Sequence, residues 1–187
     1  MPTARLLCHP TTPCPALAAI AVTASLGTDG LTLSYRLHGD PAGIRLPAPQ
    51  PPAPADGLWR HTCCEAFVAA VDGPEYREFN LSPCGRWAAW NFIGYRRRDE
   101  SWQAVAAPRI SLLHLPDGLK LDTVIPAALL PADRPLHVGL TTVVEADVHD
   151  PKQLAALVAR ANCVVNLVGI LHEQDGQTFA RAHVELP

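Results

Sequence analysis

Lysine and methionine are almost absent from this chain. Lys120 and Lys152 are the only lysines, Met1 is the only methionine, and charged residues make up 18% of the 187 positions. A formal net charge of −3 leaves no electrostatic footprint for nucleic acid. The one basic run, Arg96-Arg97-Arg98, is followed at once by Asp99 and Glu100 and reads as a solvated loop. With a single methionine, a Met/His pair on haem iron is excluded, which leaves His61 or His137 as axial candidates. The other histidines, at 9, 38, 114, 149, 172 and 183, form no ligand cluster. The N-terminus has no unbroken apolar run either: Pro10, Pro13 and Pro15 interrupt "MPTARLLCHPTTPCPALAAIAV". It reads as neither signal peptide nor membrane span, and a cytoplasmic chain with no membrane contact is expected. The six cysteines show no Cys-x-x-Cys pair and no zinc spacing, so they read as small buried hydrophobes, with no metal and no bridges.

Proline, in contrast, is plentiful, with 19 residues, six of them between positions 41 and 54. Proline lacks an amide donor and fixes φ, so that stretch predicts a stiff surface connection rather than a strand. Around it, residues 1 to about 145 alternate with period two. "AAIAVTASL" and "LTLSYRL" flank the turn "GTDG" (27–30), with Leu31, Leu33, Tyr35 and Leu37 on one face. "HTCCEAFVAAV" (61–71) leads through "DGPE" into 76–90. "PRISLLHL" (108–115) and "LKLDTVI" (119–125) make a hairpin, "PAALLPAD" a short helical turn, and "PLHVGLTTVVE" (135–145) another strand. Short strands between turn signals predict an antiparallel β-sandwich, a mainly β fold. Ile20, Val22, Leu31, Leu33, Phe67, Phe79, Leu121 and Val138 are its expected core.

From residue 146 onward the pattern changes. "PKQLAALVARAN" has helical spacing, "CVVNLVGI" (163–170) is an unbroken apolar run, and "TFARAHVELP" starts like a second helix. A short α/β tail is therefore expected over 146–187, separate from a first domain at 1–145.

One stretch asks for a function. In "YREFNLSPCGRWAAW" (76–90), Tyr76, Glu78, Asn80 and Ser82 share one face of a strand, and Arg77, Phe79 and Leu81 the other. Sugars present apolar C–H faces ringed by hydroxyls, so a site for them needs flat aromatic walls and a few fixed polar groups. Trp59, Tyr76, Trp87 and Trp90 would be the walls, and His61, Glu65, Glu78 and Asn80 the hydrogen-bonding groups. Trp87 and Trp90, three apart, face opposite sides of a straight strand, so at most one belongs with the row. The alternative is internal: Glu78 and Asn80 satisfy loop backbone, and Phe67, Phe79 and the tryptophans are core. Glu65 and Glu78 as a catalytic acid/base pair is the least favoured reading, since sandwich carboxylates are far more often structural.

The stretch 58–90 resembles DOMON-like domains related to type 9 carbohydrate-binding modules. The likeness rests on Trp59, on Glu65 and Phe67, on Tyr76, Glu78 and Phe79, and on Asn80, Pro83 and Gly85. It extends over about 4–145 and implies an immunoglobulin-like sandwich that binds a sugar or haem and does no chemistry. "VVEADVHDPKQLAALVARANCVVNLVGILHE" resembles the second half of a Rossmann domain from extended short-chain dehydrogenases and NAD-dependent epimerases, over about 143–187. That likeness implies a nucleotide facing Asp147 and the strand end Asn166–Gly169. The phosphate-cradling Gly-rich turn has no place before residue 143, and no tyrosine precedes a lysine at the family's Tyr-x-x-x-Lys spacing. The expectation is a fusion of two incomplete units, truncated inside a helix. Together these readings predict a non-enzymatic module for a small-molecule ligand, a sugar, with no cofactor.

Overall fold

Leu31, Leu33, Tyr35 and Leu37 recur at every second position, which in a strand puts them on one face. In the computed structural model, which describes residues 3–9, 14–71, 73–131 and 135–145, all four are buried between two sheets. The strands are β1 (Thr3–Leu6), β2 (Leu17–Gly27), β3 (Gly30–Gly39), β4 (Cys63–Ala70), β5 (Tyr76–Leu81), β6 (Trp87–Phe92), β7 (Arg109–Leu115), β8 (Gly118–Pro126) and β9 (Leu136–Val143). A five-stranded sheet has the order β1-β2-β3-β8-β7 and a four-stranded sheet the order β6-β5-β4-β9. Every neighbouring pair is antiparallel. The fold is mainly β, as the alternation predicts. Among the described residues no helix is long and apolar enough to cross a membrane.

The described residues all lie in one unit, Met1–Ala146. The expected tail, with its helix, its strand at 163–170 and its second helix, lies outside them, and so does the nucleotide-facing set from Asp147 to Gly169.

The core is made by the facing rows of the two sheets. Val22, Leu31, Leu33, Tyr35, Leu37, Leu119, Leu121 and Ile125 meet Cys64, Ala66, Val68, Phe79, Leu81, Trp87 and Ala89. Each large side chain fully withdrawn from water contributes about 1.5–3 kcal/mol. Of the expected core, Ile20 and Val138 are partly buried against this cluster, and the other aliphatic members and Phe79 lie within it. Phe67 does not: it lies out of phase with Ala66 and Val68 and faces away from the sandwich. The inner row of β4 is small for a reason. Tyr35, fully buried on β3, crosses the interface, and its hydroxyl donates to the Glu65 carbonyl at 2.7 Å. A second large ring on that row would occupy the same space.

Two local features escape the period-two pattern. β1 is a short edge strand with little alternation in its burial. The stretch 76–90 is a hairpin rather than one strand: Ser82 N–H donates to the Arg86 carbonyl and Gly85 N–H to that of Ser82, with Gly85 at φ +95°. Elsewhere Gly30 (φ +130°) and Gly118 (φ +140°) allow close backbone approach, since a Cβ would fall 2.0 Å from the Ile125 carbonyl oxygen and 1.9 Å from that of Leu37.

The Pro-rich connection from β3 to β4 is extended but not part of a regular ladder. It runs parallel to the start of β6, with Ala55 N–H on the Trp87 carbonyl (2.8 Å) and Trp87 N–H on that of Ala53 (3.3 Å). Its near end is pinned to the end of β9. Arg45 N–H donates to the Glu145 carbonyl, Thr62 Oγ1 donates to the Arg45 carbonyl, and the Glu145 carboxylate takes His61 Nδ1 at 2.9 Å and Arg45 at 3.4 Å.

Burial pushes the Tyr35 phenol well above its usual range and the Cys64 thiol up to about 12; Cys63 moves in the same direction. Raised values mean the folded state holds these groups neutral, so their stabilisation is complete below the unfolded values and is lost as pH rises past them. Denaturation midpoints should therefore stay flat to about pH 8.5 and fall above it, where free thiols and then phenols ionise. Tyr35→Phe should cost about 1 kcal/mol at neutral pH and flatten the decline above about pH 10. Urea titrations across pH 7–11 measure both.

Candidate functional site

The outer face of the four-stranded sheet is defined by its register. Phe92, Tyr76, Ala69 and His137 form one cross-strand row from β6 to β9. Trp90, Glu78, Phe67 and Gly139 form the next, and Ala88, Asn80, Glu65 and Thr141 the third. The aromatic members pack along the first two rows. Tyr76 and Phe92 stack with centroids 4.6 Å apart and planes 1° from parallel, and Phe67 lies 6.4 Å from Tyr76 at 48°. Cross-strand aromatic pairs of this kind stabilise the sheet and make its outer surface apolar.

A cleft of about 620 Å³ opens over this surface. Phe67, Ala69, Tyr76, Glu78 and Phe92 line its floor, with His137 and Gly139 on the β9 side. Gly139 supplies the room: the nearest atoms to a Cβ there belong to Phe67, the first at 3.6 Å. Tyr95 and Arg96 complete the lining. They sit on a tight turn closed by Arg97 N–H on the Gly94 carbonyl and Ile93 N–H on that of Arg97. The chain then pairs back onto β6 through Phe92 and Arg98 and through Asp99 N–H on the Asn91 carbonyl. The arginine run is exposed, as expected of a loop, but two of its members lie against aromatic rings. Arg98 stands 3.4 Å from the Trp90 ring centroid and Arg96 5.4 Å from that of Tyr95.

The polar row divides along its length. Tyr76 and Glu78 are half-buried in the cleft floor. Asn80 and Ser82 are fully buried and satisfied internally: Asn80 Nδ2 donates to Glu78 Oε1 at 2.8 Å, and Ser82 Oγ accepts from Cys84 N–H at 3.3 Å. Glu65, on the third row, accepts from Thr141 Oγ1 at 2.6 Å. Burial raises its carboxyl above the ordinary range, with Glu78 nearby adding to the rise and the Thr141 bond opposing it. Among the described residues no group of histidine, cysteine and carboxylate side chains could hold a metal ion.

Of the eight residues expected at one site, Tyr76 and Glu78 line the cleft, and Glu65, Asn80 and Trp90 belong to the same outer face. One face of the Trp90 ring is occupied by Arg98. Trp87 is directed into the core and is buried, as its three-residue offset from Trp90 requires. Trp59 lies on a short 3-10 turn, Leu58–Arg60, and is 52% exposed beneath Arg60. It and His61 precede the start of β4, whereas the cleft lies over its far end, about 20 Å along the strand at ~3.3 Å per residue. His61 is committed to Glu145. The geometry therefore does not gather the eight into one site. Phe67, Phe92, Tyr95, Arg96 and Gly139 join the cleft instead, with His137 among them. Period two in "EAF" and in "HVGLT" carried that signal, because Phe67 shares a face with Glu65, and His137 with Gly139 and Thr141.

A group whose carboxyl is raised on folding favours the fold most at low pH, and that contribution is lost as pH rises through the raised value. Glu65→Gln removes the charge while keeping an acceptor for Thr141. It should raise the melting temperature at pH 7 relative to the native chain, and the difference should vanish near pH 4. Thermal melts at the two pH values check it. Comparison with protein-family models, with curated proteins and with solved structures gives no match for this chain.

Proposed function

We propose that this chain is a non-catalytic carbohydrate-binding module that takes its ligand in the cleft on the outer face of β6-β5-β4-β9. The observation that supports this is the aromatic patch of Phe92, Tyr76 and Phe67, the first two stacked and Phe67 tilted against Tyr76, with Glu78 and His137 beside it in the lining. A sugar packs its C–H groups on such an apolar patch and turns its hydroxyls to the polar groups around it. The volume, about 620 Å³, falls within the size of small-molecule sites. The likeness of 58–90 to the DOMON-like and type 9 carbohydrate-binding families points the same way, since Tyr76, Glu78 and Phe67 all belong to the residues that carry it.

Haem is the second reading, and His137 in the cleft lining is what favours it. The fit is partial. The other axial candidate, His61, is hydrogen-bonded to Glu145 at the opposite end of β4, and the Glu78 carboxylate in the floor suits hydroxyl donors better than a porphyrin face. The sugar reading fits more of the lining.

Binding to a glycan array, followed by calorimetry on the hits, is the direct test, with a hemin titration in parallel. Tyr76→Ala should abolish sugar binding while the circular dichroism spectrum stays unchanged. Gly139→Val should do the same by filling the cleft, with no loss of stability because valine favours a strand. A sharp Soret band on hemin addition with no glycan signal would replace the sugar with haem.

A further inference from the structure

We propose that the sugar taken by this cleft is acidic, a uronic acid, and that Arg96 reads its carboxylate. The proposal deepens the carbohydrate reading and rests on it. It starts from an imbalance of charge in the turn over the cleft. Three arginines are followed by Asp99 and Glu100, which in the sequence look like their counterions. In the structure neither acid pairs with Arg96. Asp99 takes the Ser101 hydroxyl and N–H at 2.6 and 3.0 Å and the Asn91 amide at 3.4 Å, and Glu100 pairs with Arg98 at 3.6 Å. Among the described residues Arg96 has no carboxylate partner, and it is the arginine that lines the cleft.

Its backbone supports the same conclusion. Arg96 has φ +54°, the only positive φ at a non-glycine among the described residues. Glycine would adopt that conformation without steric cost, and a β-carbon there is disfavoured. Outliers of this kind concentrate where a side chain has a task. Here the turn puts Arg96 among the lining residues of the cleft, its guanidinium 5.4 Å from the Tyr95 ring centroid. A guanidinium presents paired N–H donors that match the two oxygens of a carboxylate.

The rest of the site sets the ligand's polarity. Glu78 lies in the floor with one oxygen held by Asn80, and Glu65 is on the next row. These carboxylates accept from hydroxyls and repel anions. A sugar with one carboxylate at the Arg96 side and hydroxyls toward Glu78 satisfies both ends. A densely sulfated glycan would place negative charge against the glutamates.

Calorimetry with oligogalacturonides, their methyl esters and the matching neutral galactose oligomers tests this. The native chain should bind the free acid roughly tenfold or more tightly than the ester, which keeps the shape and loses the charge. Arg96→Gln should bring that ratio to about one. Arg96→Gly should do the same while raising the melting temperature, which separates the guanidinium from the folding of the turn. Tyr76→Ala should lose acid and ester together. Equal binding of acid and ester by the native chain, or a preference that survives in both Arg96 variants, overturns the acidic specificity and leaves the carbohydrate reading standing. Failure to bind any of these oligomers, together with a silent glycan array, overturns both.

Discussion

The outer surface of this sandwich depends on one hydrogen bond made inside it. Tyr35 spans the gap between the sheets and ends on the Glu65 carbonyl. A buried hydroxyl without a partner would be costly, so the bond holds β4 at a fixed height and phase over β3. That phase decides which residues of "CCEAFVAA" face in. Cys64, Ala66 and Val68 turn toward the phenol because they leave it space, and Glu65, Phe67 and Ala69 must turn out. From β4 the same phase passes through the registers to β5, β6 and β9. A slip of one residue would exchange every inner side chain for an outer one, so the cleft and the core are specified together.

What was legible in the chain follows from what period-two reasoning can see. β3 and β8 bury one face and expose the other, and their leucines announce it; the hairpin of β7 and β8 and the strand at β9 were equally plain. Size alone places Phe67 in the core, whereas here that space is filled by Tyr35 from the opposite sheet and Phe67 faces out. The site was only half visible for a related reason. Residues sharing a strand face can be paired by counting, which puts Tyr76 and Glu78 side by side on one face. Which end of β4 opens and which is closed depends on the path of the connections. Asn80 and Ser82 are fully buried while Tyr76, on the same row, lines a cleft. Nor does spacing show that Asp99 and Glu100 turn away from Arg96, since those contacts are made by a turn and not by a ladder.

The polar row therefore has two physical roles in one strand. At one end Asn80 and Ser82 are internal partners, which meets the requirement that buried polar atoms be paired. At the other, Tyr76 and Glu78 form part of a cleft floor between partners already present and space still open. Asn80 joins the two, because its amide fixes the Glu78 carboxylate. A carboxylate held by an already buried neighbour has little conformational freedom left to lose.

The path of the Pro-rich connection has a consequence for the protein's life at high concentration. An unpaired strand edge is a template on which further chains can grow as a continuing ladder. Along the start of β6 that edge is occupied by a segment of the same chain, through Ala53 and Ala55. The prolines at 51, 52 and 54 have no amide hydrogen to offer a newcomer. The segment therefore accepts the bonds β6 must make and passes few on, ending the sheet chemically at that point. Polymerisation by strand addition is deprived of one entry, and the strand carrying Trp90 and Phe92 is guarded by a piece of chain whose composition alone would have suggested mere linker.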